Sequence, residues 1–100
     1  MILPSKIYFL GIGGIGMSAL ARYFNQRGVA INGYDKYRSE LCIQLEEVGM
    51  HIHYTEDISL IPLDCELIVR TPAIPINSIE YNFILSHFKN IKKRSQVLGE

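Results

Sequence analysis

The sequence predicts an α/β domain: a parallel sheet of about five strands with helices on both faces. Three observations predict it. Short apolar runs alternate with helix-period segments along the whole chain, the order of a sheet built by crossovers. A glycine-rich turn joins the first apolar run to the first helical segment. Hydrophobic residues make up 48% of 100 residues, enough for one modest core and not for two catalytic domains.

Taken in order, Lys6 to Leu10 is a nearly continuous apolar run between Pro4-Ser5 and Gly11, the pattern of a strand buried on both faces. Met17, Leu20, Ala21 and Phe24 then fall at i, i+3, i+4 and i+7, one helical stripe closed by Gly28. Val29 to Gly33 returns to a strand and runs into Tyr34-Asp35. Ser39 caps a second helix with Leu41, Leu45 and Val48 on its buried face, and Gly49 stops it. His51 to Tyr54 is a weaker third strand, and Thr55 to Asp64 a loop or helical turn. Leu67-Ile68-Val69 is the fourth strand. The prolines in Thr71-Pro72-Ala73-Ile74-Pro75 keep that stretch out of a helix. Asn77 with Glu80 resembles a capping box opening a third helix, with Tyr81, Leu85 and Phe88 on its inner face. Ile91 to Lys93 is a short fifth strand, and Ser95 caps a fourth helix that has barely begun when the chain ends. That ending reads as a fragment of a longer protein.

Lys+Arg and Asp+Glu both number 10, so the formal net charge is zero. That balance disfavours a polyanion-binding tail and nucleic acid as a partner. No stretch approaches the ~20 apolar residues of a membrane span, and no signal peptide is visible, so no membrane partner is expected. Cys42 and Cys65 make neither a zinc pattern nor a disulfide frame. Both read as small buried hydrophobes in a reducing, cytoplasmic setting.

The chemistry concentrates in Gly11-Ile12-Gly13-Gly14-Ile15-Gly16-Met17-Ser18. Gly11, Gly13 and Gly16 satisfy G-x-G-x-x-G between a strand and a helix, the context that makes this fingerprint Rossmann-like. One glycine permits the tight turn, one lets a phosphate approach the backbone, and one lets helix and strand pack closely. The helix start then offers unpaired N–H groups to an anion. Ser18 either donates to that phosphate or faces solvent. Asp35, nineteen positions beyond Gly16, either accepts from ribose hydroxyls or caps the loop before the second helix. Arg94, Thr71 and Ala73 follow strands and so face the same crevice. His51 and His53 share one face of an exposed strand without ligand partners, and His87 lies on a helix surface. Lys89, Lys92, Lys93 and Arg94 form a small basic cluster at a strand edge. No P-loop for ATP and no catalytic set is visible.

These residues together resemble the bacterial Mur ligases. Gly11–Ser18 is similar to the N-terminal signature of the alanine-adding members, whereas the peptide-recycling branch carries a cysteine-containing, less glycine-rich loop. The likeness continues through Gly33-Tyr34-Asp35, Thr71-Pro72-Ala73-Ile74 and Lys93-Arg94-Ser95-Gln96-Val97-Leu98-Gly99-Glu100. The resemblance implies that residues 1–100 are a single N-terminal domain of a three-domain enzyme, holding the uridine diphosphate of UDP-N-acetylmuramate. It implies further domains, absent here, that bind ATP with magnesium and L-alanine, so this chain would hold no cofactor and do no chemistry alone. Carried over by position, Gly11, Gly13, Gly14, Ile15, Gly16, Met17 and Ser18 surround the diphosphate, and Asp35 lies near the uridine. Thr71, Pro72 and Ala73 form the facing wall, with Arg94 and Ser95 beside it. Thr55-Glu56 stands where many relatives carry Gly-His, leaving Tyr54 or His53 to meet the base. Two other readings fit the glycine loop and Asp35: a NAD-binding domain of an oxidoreductase, and a non-catalytic nucleotide-sensing module.

Overall fold

The computed structural model describes residues 2–98. Five parallel strands alternate with helices: β1 (Lys6–Leu10), α1 (Ile15–Asn25), β2 (Ala30–Tyr34), α2 (Glu40–Glu47), β3 (His51–His53), a 3₁₀ turn (Ile58–Leu60), β4 (Leu67–Arg70), α3 (Ile79–His87), β5 (Ile91–Lys93) and α4 (Arg94–Leu98). The sheet order is β3-β2-β1-β4-β5. The chain therefore winds one way from β1 to β3 and the other way from β4 to β5. This reversal puts a topological switch point at the C-terminal ends of β1 and β4, where open α/β sheets bind ligands.

The central strand explains the arrangement. Ile7, Tyr8, Phe9 and Leu10 are all fully buried, because β1 is flanked by β2 and β4 and covered on both faces. Alternation sends Ile7 and Phe9 to one face, against Met17, Leu20, Phe24, Cys42 and Leu45. It sends Tyr8 and Leu10 to the other, against Tyr34, Ile61, Ile68 and Ile84. Burying such side chains stabilises by about 1.5–3 kcal/mol each.

Several local readings change. In α2 the buried residues are Cys42 and Leu45, while Val48 is half exposed just beyond the helix. Ser78, not Asn77, caps α3, its hydroxyl accepting from the Tyr81 amide. Glu80 and Ile84 face inward and Leu85 is exposed; Tyr81 and Phe88 pack only partly. Ser95 caps nothing: α4 starts at Arg94, directly from β5, and the Gln96 side chain accepts from the Lys93 amide at 2.7 Å. Both cysteines are free, but only Cys42 is buried; burial still pushes the half-buried Cys65 thiol up to about 12. Gly99 and Glu100 lie outside the described residues.

Gly11 tests how tightly the switch point is built. Its φ is +91°, and a Cβ there would lie 2.4 Å from Thr71 Cγ2. Gly11→Ala is expected to lose about 1–2 kcal/mol from the backbone alone, with the Thr71 clash added. Gly14→Ala, where a Cβ would meet only Met17 at 3.8 Å, loses at most about 1 kcal/mol. Urea unfolding of the two variants measures the difference.

Candidate functional site

The loop between β1 and α1 divides into two halves. In the first half the amides are spent on the end of β2. Gly11 and Ile12 donate to the Tyr34 carbonyl at 2.8 and 3.0 Å, and Gly13 donates to Asp35 Oδ2 at 2.7 Å. In the second half they are free. Gly14 occupies the cap of α1 with no side-chain partner. Among the described residues the amides of Gly14, Ile15, Gly16 and Met17 have no protein acceptor, as expected of a first helical turn. Gly14 and Ile15 are exposed, so this turn opens to solvent.

Arg94 reaches this turn from the other side of β1. A Cβ on Gly16 would lie 2.5 Å from Arg94 Nε and 2.8 Å from its Cζ, so the guanidinium lies directly over the bare Gly16 backbone. The side chain is half-buried and has no acidic partner among the described residues. A guanidinium without a counter-ion beside four unpaired amides is an arrangement that favours an anion with several oxygens.

Other expected site residues fall around it unevenly. Thr71 packs its methyl group on Gly11, and its hydroxyl accepts from the Ala73 amide at 3.3 Å. That turn leaves Pro72 and Ala73 exposed. Ser18 does not face solvent: it is buried, and its hydroxyl donates to the Ile15 carbonyl at 3.0 Å. Short side chains in a helix bond back to the preceding turn in this way. Met17 turns into the core, leaving only its amide at the helix start. Ser95 is exposed on α4. Asp35 Oδ1 accepts from the Tyr37 amide at 3.1 Å, so the carboxylate caps its own loop and also holds Gly13.

A second polar centre was not legible in the sequence. Glu80 is fully buried on the α3 face. One of its oxygens accepts from the Tyr8 hydroxyl. The other lies 2.7 Å from His53 Nε2 and accepts from the Asp57 amide at 2.8 Å. Glu56 answers from the opposite side, accepting from the Ser78 hydroxyl at 2.5 Å and the Glu80 amide at 2.8 Å. The two carboxylates thus clamp residues 53–57 to the start of α3. Burial and the adjacent Glu80 carboxylate hold the Tyr8 phenol well above its usual range, so it stays a donor. His53 is therefore not a spectator on an exposed strand, and Glu56 is committed to α3. Tyr8, His53 and Glu80 are 45 and 27 positions apart in sequence, and only the folded sheet and α3 bring them together.

A groove of about 420 Å³ runs along the outer strand β3, lined by Asn32, Met50, His51, His53 and Leu60 among others. None of residues 11–18 lines it, and the free amides and guanidinium lie elsewhere. Among the described residues no group of three or more His, Cys, Asp or Glu side chains could hold a metal ion. No helix among them is long and apolar enough to cross a membrane.

Comparison with known proteins bears on the family and the fold. Residues 6–100 match the Mur ligase family, catalytic domain. The chain is 48% identical over 98 residues to the UDP-N-acetylmuramate–L-alanine ligase of Flavobacterium psychrophilum, covering 94% of this chain and 22% of that protein. It is 47% identical over 99 residues to the ligase of the same name from Cytophaga hutchinsonii, covering 94% and 21%. The chain thus spans about a fifth of the length of these curated relatives. Among solved structures, UDP-N-acetylmuramate-alanine ligase from Thermotoga maritima superposes with a TM-score of 0.85 at 29% identity, covering 93% of this chain and 21% of that one. A murein peptide ligase from Psychrobacter arcticus shares the fold, with a TM-score of 0.85 at 24% identity over 95% of this chain and 20% of that one. The oxidoreductase and sensor readings fit the glycine loop equally well and give way to the family match and the sequence relatives: the chain belongs to the Mur ligase family.

Proposed function

We propose that this chain is the N-terminal, UDP-sugar-binding domain of a cytoplasmic ATP-dependent ligase that joins L-alanine to UDP-N-acetylmuramate during peptidoglycan precursor synthesis. The observation that carries the reading is Arg94: a guanidinium without an acidic partner among the described residues, laid over Gly16 beside four amides that no protein group uses. Gly14, Ile15, Gly16, Met17 and Arg94 hold the diphosphate, and Thr71, Pro72 and Ala73 wall the crevice. Gly11, Gly13 and Ser18 shape the loop from behind.

The chain's part in the reaction is to bind and orient. Gripping a diphosphate remote from the reacting carboxylate lets binding energy fix that carboxylate in place. Such placement contributes up to ~7–11 kcal/mol to lowering a barrier. ATP and magnesium supply carboxylate activation in the whole enzyme. The described residues offer no ligand cluster for the metal, and the 100 residues hold no G-x-x-x-x-G-K-[ST] loop.

Calorimetric titration of the chain with UDP-N-acetylmuramate, UDP and NADH tests the reading. Saturable binding of both uridine compounds and none of NADH is expected. Tight NADH binding with no response to the sugar nucleotide would overturn it.

A further inference from the structure

We infer that Asp35 is a positioning residue that sets the glycine loop for a diphosphate, rather than a ligand of the nucleoside; the inference rests on the diphosphate reading above. Both carboxylate oxygens are aimed at main-chain donors of the protein itself, Oδ2 at Gly13 and Oδ1 at Tyr37. The Gly13 backbone is closed in on that side: a Cβ there would come within 2.8 Å of both Asp35 Oδ2 and Cys42 Sγ. With Gly11 and Ile12 bound to the Tyr34 carbonyl, three consecutive amides are pinned to residues 34 and 35. The turn that follows leaves the next four amides without a protein acceptor, its Gly14 and Ile15 exposed. A carboxylate directed at the ligand would repel a diphosphate. Spent on Gly13 and Tyr37, the same charge fixes the loop through charge-assisted bonds.

Direct contact and positioning differ in which part of the ligand feels the loss. Asp35→Asn is titrated with inorganic pyrophosphate, UDP and uridine, and amide resonances are followed by NMR. Positioning predicts that pyrophosphate and UDP weaken by the same factor, about tenfold (1.4 kcal/mol), while uridine is unaffected. It also predicts that the Gly13 amide resonance moves in the variant while those of β1 and β4 hold. Pyrophosphate affinity unchanged within twofold with UDP weakened would overturn the inference and leave the diphosphate site standing. A wild-type chain that binds neither pyrophosphate nor UDP would overturn both. Should the variant unfold, the wild-type chain decides. Pyrophosphate that shifts the amides of Gly14 to Met17 and leaves Gly13 in place supports positioning, and a largest shift at Gly13 contradicts it.

Discussion

Glu80→Ala is expected to lower the unfolding free energy by about 3–5 kcal/mol. Removing this fully buried carboxylate strips the acceptor from the Tyr8 hydroxyl and the Asp57 amide and the partner from the His53 ring. Each buried polar group left unsatisfied costs about 1–3 kcal/mol, and breaking a buried charged cluster by removing one member costs about 3–5. Domains of this kind have about 5–15 kcal/mol in total, so the variant keeps a thin margin. Glu80→Gln preserves the shape and one carbonyl acceptor and loses less. Urea unfolding followed by circular dichroism measures both. A loss below about 1 kcal/mol for the alanine variant would mean that the clamp between residues 53–57 and α3 contributes little.

Arg94→Ala is expected to weaken UDP-N-acetylmuramate binding by about 10- to 150-fold, the worth of a charge-assisted contact of 1.5–3 kcal/mol. Stability should hardly change, because the guanidinium has no ion-pair partner among the described residues to lose. Arg94→Lys recovers part of the affinity, since an ammonium supplies charge without the bidentate fork. Titration of both variants, with a thermal melt beside each, separates a lost contact from a lost fold. Wild-type affinity in the alanine variant would remove Arg94 from the site.

What the sequence made legible follows from how local each signal is. β1 announces itself because a strand buried on both faces is apolar at every position, and the glycine loop because a turn this tight tolerates little else. The pairing of Gly16 with Arg94 and of Gly11 with Thr71 was foreseeable only as convergence of strand ends at one edge; the packing of side chain on bare backbone is seen only in the fold. Of the two roles open to Asp35, ribose acceptor or loop cap, the fold displays the cap, at Tyr37, and its bond to Gly13 needed the register of β1 beside β2. Glu80 was misread for a physical reason. An acid near a helix start has a local use in a capping box, and α3, whose polar and apolar residues are spread around the helix without a stripe, gave no warning that this one faces inward. The same lack of a stripe misplaced Leu85, since a helix with little contrast between its faces does not reveal its own rotation.

The central claim is that residues 14–17 and Arg94 grip a diphosphate. An ¹H–¹⁵N NMR titration of the chain with UDP-N-acetylmuramate tests it most directly. The largest shifts are predicted at the amides of Gly14, Ile15, Gly16 and Met17 and at the Arg94 side chain. Saturable binding whose shifts gather instead around Asn32, His51 and Leu60, in the groove beside β3, would contradict it.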